Sequence, residues 1–228
     1  RDPWKGLIRT LSLQNSVTFG NKKEADESAH RINKLHEVIN GKDEITGGYY
    51  DALDQEQLLW VHACLQISSI YFYEMTVKKL SDEEKNQYHT ENMKAAELVL
   101  VDRKKMPETH EGLKNWVMTK SKQEGYLVST DVSEDVKNII GGGPVPRHIK
   151  PIWPFIAFTA FNTLPKEFKE IYGISDSKIK NFILGLNLKI LKYTRPLLPP
   201  FFRLIAPARW AKQRITKKPS LLFKDKAQ

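Results

Sequence analysis

Apolar residues recur at steps of three and four along most of this chain, and that spacing restricts it to a helical fold. In segment 25–39 the row that would face a core consists of Ala25, Ala29, Ile32, His36 and Ile39. An imidazole is costly to bury unless both ring nitrogens are satisfied. His36 is therefore expected either to be hydrogen-bonded inside the protein or to bind something else.

A second row of the same kind carries a second histidine. In segment 58–72 it consists of Leu58, His62, Leu65, Ser69 and Phe72. One buried histidine is usually structural, satisfied by a carbonyl or a carboxylate group. Two histidines in the apolar rows of consecutive helices make a ligand site a serious candidate, because a neutral imidazole binds haem iron, zinc or copper well.

Helical signals continue to the end of the chain. Ser81 with Glu84 has the pattern of a capping box, and Asp54 with Gln57 resembles one. Helices are predicted over roughly residues 3–19, 22–40, 54–75, 81–100, 107–125, 133–140, 149–165, 179–190 and 206–216. No segment alternates with the period of a strand. With 228 residues, the sequence predicts an all-α fold, a multi-helix bundle in a single domain.

The basic character of the chain is concentrated at its C-terminal end. The net charge is +9, and from Leu188 onward eleven Lys or Arg residues stand against one acid, Asp225. No nucleic-acid-binding motif accompanies this segment, so no nucleic-acid partner is expected. Residues 196–228 are predicted to be a basic extension whose aromatic and cationic side chains suit an anionic membrane surface.

Two features of the sequence bear on the cellular compartment. Cys64 is the single cysteine, which rules out an internal disulfide and favours a reducing, intracellular compartment. The sequence shows no signal peptide and no apolar run that is long enough to span a bilayer.

Several chemistries for the two histidines can be compared on the residues present. Structural zinc would need further Cys or His at short spacing. A di-iron bundle would need two Glu-x-x-His units, and only Glu27 with His30 forms one. Haem needs an axial residue, an apolar slot and cations for its propionates, which leaves it as one candidate. The remaining histidines, His89, His110 and His148, stand in polar segments and are predicted to face solvent.

Three consecutive blocks, "DPWKGLIRTLSLQNSVTFG", "AHRINKLHEVING" and "YYDALDQEQLLWVHACL", together resemble the haem-dependent oxygenases that include the rubber oxygenases (latex-clearing proteins) and the mycophenolate-pathway oxygenase MpaB. Weaker agreement continues through "LSDEEKNQYHTE", "LPKEFKEIYG" and "PLLPPFFRLIAPARWAKQR", so the resemblance covers nearly the whole chain. It implies an all-α catalytic domain over residues 1–228 around a b-type haem. A helical segment that relatives carry before "DPW" is expected to be absent.

The resemblance also implies roles for individual residues. The axial histidine of the family corresponds to His36, with Arg31 in the preceding turn as a partner for a haem propionate. The family block that ends in Arg/Lys-Thr corresponds to Arg9 and Thr10, which are expected on the distal side where dioxygen binds.

Trp60 and His62, from the "WVH" block, are expected beside the cofactor, with His62 supporting it rather than binding the iron. The implied reaction is the oxygenation of a small apolar, unsaturated, isoprenoid-like substrate by dioxygen. The alternative is a helical haem- or lipid-binding protein without turnover, peripheral to a membrane.

Overall fold

The computed structural model describes residues 3–42, 47–123, 138, 141–142 and 145–216. Ten α-helices are formed within these residues: α1 Pro3–Phe19, α2 Lys22–His36, α3 Gln55–Thr76, α4 Asp82–Leu98, α5 His110–Lys120, α6 Trp153–Asn162, α7 Lys166–Ile171, α8 Lys178–Thr194, α9 Pro200–Arg203 and α10 Ala206–Thr216. Short 3₁₀ helices follow at Arg103–Lys105 and Arg195–Leu197. The predicted all-α class is confirmed.

A two-stranded hairpin interrupts the helices, and the sequence analysis did not predict it. β1 Asn40–Lys42 pairs antiparallel with β2 Tyr49–Asp51, with Gly41 opposite Tyr50. Consequently α2 ends at His36 rather than at residue 40. Strands of three residues are too short to show an alternating pattern, so periodicity could not predict them.

Helix starts follow the capping signals. The Ser81 hydroxyl accepts a hydrogen bond from the Glu84 amide at 3.2 Å, and the Glu84 carboxylate accepts one from the Ser81 amide at 3.0 Å, so the predicted capping box is confirmed. The Asp54 side chain caps α3, but no reciprocal bond from Gln57 completes a box. Asn21 and Glu24 form a full capping box at the start of α2.

The hydrophobic core lies around α3, which packs against α4, α5 and α8. Its buried members come from α3, α4, α5 and the segment between the last two: Leu58, Leu59, Ala63, Met93, Ala96, Val101, Met106, Leu113 and Val117. Trp60 packs at its edge against Trp116, with ring centroids 6.3 Å apart. α1 and α2 pack against each other, α2 also contacts α4, and α10 lies against α1.

Two histidines that were predicted to face solvent are buried, so that prediction is wrong for them. His89 on α4 is fully buried; its Nε2 donates to the Pro107 carbonyl and its Nδ1 accepts from Gln66 Nε2, each at 2.8 Å. His110, the first residue of α5, is also buried. Both are buried because α4 and α5 pack on α3, a tertiary arrangement that the polar neighbours in sequence do not reveal. His148 is exposed, as predicted.

Apart from residue 138, the predicted helix over residues 133–140 lies outside the described residues, as does the end of the basic extension after residue 216. Among the described residues, no helix combines the length and the apolar character that crossing a bilayer requires.

Candidate functional site

A cleft of about 400 Å³ opens between α1, α2, α3 and α4. It is lined by Thr10, Leu13, Gln14, Ile32, Leu35, His36, Ile39, Ala52, Gln57, Leu58, Val61, His62, Leu65, Ala95 and Val99, and we call it the histidine cleft. Most of these side chains are aliphatic. Val61 and Leu65 on its wall are 59% and 51% exposed, so the cleft presents apolar surface that a bound ligand would cover.

His36 enters the cleft from the last residue of α2. Its ring is half-buried, and Nδ1 is buried without a hydrogen-bond partner. Burial lowers the pKa of His36, because the imidazolium form loses hydration inside the protein. The side chain is therefore a neutral imidazole at physiological pH, which is the form that binds metal ions.

His62 enters the same cleft from the middle of α3. It is 9% exposed, and its Nε2 is buried without a partner. Burial is the main cause that lowers the pKa of His62 to about 4, and electrostatic repulsion from neighbouring His89 is the smaller cause. The structure thus places two neutral imidazoles, each with an unsatisfied ring nitrogen, in one apolar cleft.

These donors suit some metal centres better than others. No group of three or more His, Cys, Asp or Glu side chains that could hold a bare metal ion occurs in the described part of the chain. A porphyrin brings four nitrogen ligands of its own and needs only one or two axial residues from the protein. An apolar cleft with one or two free imidazoles therefore fits a haem better than an isolated zinc or copper ion.

The other predicted site residues lie at different distances from this cleft. Thr10 lines it, and its hydroxyl donates to the Gly6 carbonyl at 3.1 Å. Arg9 and Arg31 are exposed on α1 and α2 and do not line the cleft. Trp60 lies against Trp116 at the edge of the core rather than in the cleft lining. The structure therefore brings together Thr10, His36 and His62.

Sequence reasoning did not identify two polar residues of the cleft, Gln14 and Gln57. Gln14 stands four residues after Thr10 on α1, a spacing that places the two side chains on the same side of a helix and could have indicated it. Gln57 lies at the start of α3, where it was interpreted only as part of a capping motif.

Cys64, two residues after His62, is not an activated nucleophile. Burial raises the pKa of its thiol to about 11, so the protonated form prevails at neutral pH.

A second apolar cavity, of about 480 Å³, lies farther along α3, where α6 and α8 cover it. It is lined by Ser68, Tyr71, Phe72, Phe155, Ile156, Thr159, Ala160, Thr163, Leu164, Pro165 and Leu191. Phe72 belongs to the same row of α3 as His62 and Leu65. One side of this helix therefore runs from the histidine cleft to the second cavity.

A protein-family model described as "ER-bound oxygenase mpaB/B'/Rubber oxygenase, catalytic domain" matches residues 1–185 of the chain. No curated protein and no solved structure matches the chain significantly.

Proposed function

Because the chain belongs to the family of mpaB-type and rubber oxygenase catalytic domains, and is therefore an oxygenase, we propose that it uses a b-type haem bound in the histidine cleft. We place residues 1–228 in one catalytic domain with a basic extension from residue 196. His36 is the proposed iron ligand, and an apolar substrate and dioxygen are the proposed reactants. When bound, haem supplies the redox chemistry that activates dioxygen.

The observation that supports this proposal best is the state of His36. Its imidazole is neutral, lies in an apolar cleft and has a buried nitrogen without a partner. An unsatisfied buried polar atom is unfavourable by about 1–3 kcal/mol, so folded proteins rarely retain one without a reason. A ligand that binds the ring fixes its orientation and covers the exposed apolar wall formed by Val61 and Leu65.

The other residues of the site have supporting roles in this proposal. His62 stays neutral because burial lowers its pKa, and it offers a second nitrogen to whatever occupies the cleft. Thr10 and Gln14 contribute polar groups to the wall on α1. Arg31 and Arg9 are exposed cations on two of the helices that border the cleft, where they can pair with the haem propionates without any cost of burial.

The substrate is proposed to be an elongated apolar molecule, for which an unsaturated isoprenoid-like chain is the model. His62 and Phe72 lie ten residues apart on α3, which corresponds to about 15 Å along the helix axis. Aliphatic and aromatic side chains line both ends of this path. A molecule that occupied both cavities would be held by apolar contacts and kept away from water.

Absorption spectroscopy of the purified chain with haem tests the cofactor assignment. The expected result is a Soret band at one haem per chain in the original protein and its loss in His36→Ala. His148→Ala is the matched control, because His148 is exposed and outside the cleft. An unchanged Soret band in His36→Ala would overturn the assignment.

Oxygen uptake by the haem-loaded protein, with a reductant and an unsaturated lipid, tests turnover. Uptake that depends on the lipid is expected. Haem loading without any uptake over a range of reductants and unsaturated chains would favour a protein that binds haem or lipid without turnover.

A further inference from the structure

α8 has an apolar face that points away from the rest of the described structure. It consists of Ile179, Phe182, Ile183, Leu186, Ile190 and Tyr193, continued by Leu197, and we call it the α8 stripe. Apart from the adjacent pair Phe182 and Ile183, successive steps of three and four place these side chains on one side of the helix. Their exposed fractions run from 39% at Ile183 to 82% at Leu197. We propose that the α8 stripe docks this protein on an anionic lipid surface.

The orientation of α8 is fixed by its opposite face. Leu184, Asn187 and Leu191 are buried or half-buried where α8 packs against α3 and α6. The Asn187 side chain donates to the Thr159 hydroxyl at 3.4 Å. α8 therefore buries polar Asn187 and leaves large apolar residues exposed. A helix that buried its most apolar side in the core would do the opposite. Contiguous apolar patches of this kind on soluble proteins mark interaction surfaces.

The positive charges around the α8 stripe indicate an anionic partner. Lys178, Lys189 and Lys192 occupy the polar side of α8 next to the stripe. No Asp or Glu occurs between Asp176 and Asp225. An apolar face bordered by cations is the pattern of helices that lie in the plane of a membrane, with the apolar side chains among the acyl chains and the lysines among anionic headgroups.

The same charges argue against a second copy of the chain as the occupant. Two identical faces would bring two clusters of lysines together, and like charges across an interface are unfavourable. A bilayer with anionic lipid matches both the apolar stripe and its cationic border.

This inference does not rest on the proposed haem chemistry, although it has a consequence for it. Leu191 lies on the packed side of α8 and lines the second cavity. Docking through the α8 stripe, on the opposite side of the helix, therefore places that cavity one helix diameter, about 10 Å, from the bilayer in which long apolar substrates dissolve.

Vesicle co-sedimentation of the full chain tests the proposal. Binding is expected to vesicles of phosphatidylcholine with about one third phosphatidylserine, to fall at least tenfold with phosphatidylcholine alone, and to weaken as salt is raised from low to high concentration. The variant Phe182→Ser/Leu186→Ser is expected to lose at least tenfold in affinity. Val38→Ser is the control, because Val38 is as exposed as Phe182 but lies outside the stripe.

Two further variants separate the contributions. Lys189→Gln/Lys192→Gln is expected to weaken binding to anionic vesicles and to reduce its salt dependence. Phe201→Ser/Trp210→Ser alters the exposed aromatic residues of the basic extension and leaves the stripe intact. Loss of binding in this variant alone, with Phe182→Ser/Leu186→Ser unaffected, would move the docking surface away from α8 and overturn the proposal.

Other results would overturn it as well. The absence of binding to any vesicle would do so, as would binding that ignores lipid charge and salt. A dimer in light scattering that Phe182→Ser/Leu186→Ser converts into a monomer would identify a second copy as the partner. Circular dichroism of each variant verifies that the helices are retained, which is expected because the altered side chains are largely exposed.

Discussion

His36 and His62 line the same cleft from two different helices, and each has one ring nitrogen that is buried without a hydrogen-bond partner. Burial lowers the pKa of both, so the folded protein holds two neutral imidazoles close to one apolar wall. This arrangement makes the stability of the haem-free protein depend on pH, because the unfolded chain binds protons on these rings that the folded chain does not.

Stability of the haem-free protein is predicted to fall as the pH drops from about 6.5 to about 4. His62 has a pKa of about 4 in the folded chain and the ordinary value of 6.5 when unfolded. Between these values the unfolded state binds more protons, so the free energy of unfolding decreases on acidification, by up to about 1.4 kcal/mol per pH unit for one such group. Above pH 6.5 this contribution is complete. Urea unfolding measured from pH 4.5 to 7.5 checks the slope.

The control for this prediction is His62→Gln, which cannot titrate and is expected to have a shallower slope in the same window. His148→Gln, at an exposed position, is expected to keep the slope of the original protein. Equal slopes in His62→Gln and the original protein would show that His62 is not the group responsible.

The hydrogen bonds of His89 are predicted to be a major contribution to stability. His89→Leu leaves the Gln66 amide and the Pro107 carbonyl without their partner in the core. Each unsatisfied buried group costs about 1–3 kcal/mol, so a loss of about 2–6 kcal/mol is expected in chemical denaturation. The double variant Gln66→Leu/His89→Leu is expected to lose less than His89→Leu alone, because one unsatisfied amide is removed. A double variant that is less stable by the full sum of the two single losses would contradict this coupling.

Much of this fold could be predicted from local patterns. The start of α4 at Ser81 and the extent of α1 from Pro3 to Phe19 agree with the sequence analysis, because caps and periodicity are properties of neighbouring residues. The positions of His36 and His62 in one cleft also follow from their apolar rows.

Other features depend on contacts between distant segments and could not be predicted in this way. His89 is surrounded by polar residues in sequence, and its burial follows from the packing of α4 on α3, with its bonds to Gln66 and Pro107 satisfying the ring. The exposure of Phe182 depends on which side of α8 meets α3 and α6. Trp60 is a different case. It stands two residues before His62, and this offset places the two side chains on different sides of a helix. The sequence alone could therefore have predicted that Trp60 does not line the cleft with His62.

Ser81 is predicted to stabilise α4 through its side chain. Ser81→Ala removes the bond that its hydroxyl accepts from the Glu84 amide, and a loss of about 1 kcal/mol is expected. Ser81→Gly is the comparison, because glycine at this position typically costs only a few tenths of a kcal/mol. Thermal and urea unfolding check the order of the three proteins. Ser81→Ala with unchanged stability would mean that the capping box does not contribute in solution.

Alanine substitutions at Gly6, inside α1, and at Gly20, directly after α1, are predicted to change the free energy of unfolding in opposite directions. A Cβ at Gly20 would come too close to the Ser16 carbonyl oxygen and lie 2.9 Å from the Glu24 Cβ, so the turn between α1 and α2 must shift. Overpacking of this kind costs about 1–3 kcal/mol. At Gly6, inside α1, an added Cβ meets nothing within 4 Å, and alanine is expected to stabilise the helix by about 0.5–1 kcal/mol.

The matched pair Gly6→Ala and Gly20→Ala therefore tests whether the junction of α1 and α2 holds the wall of the histidine cleft in place. Gly20→Ala is expected to lower the free energy of unfolding in urea and to weaken haem binding, because Thr10 and His36 line the cleft from the two helices that meet at this turn. Gly6→Ala is expected to raise the stability and leave haem affinity unchanged. If Gly20→Ala matched Gly6→Ala in both measurements, the turn would have the freedom to accept a side chain, and the close packing around Gly20 would not control the geometry of the cleft.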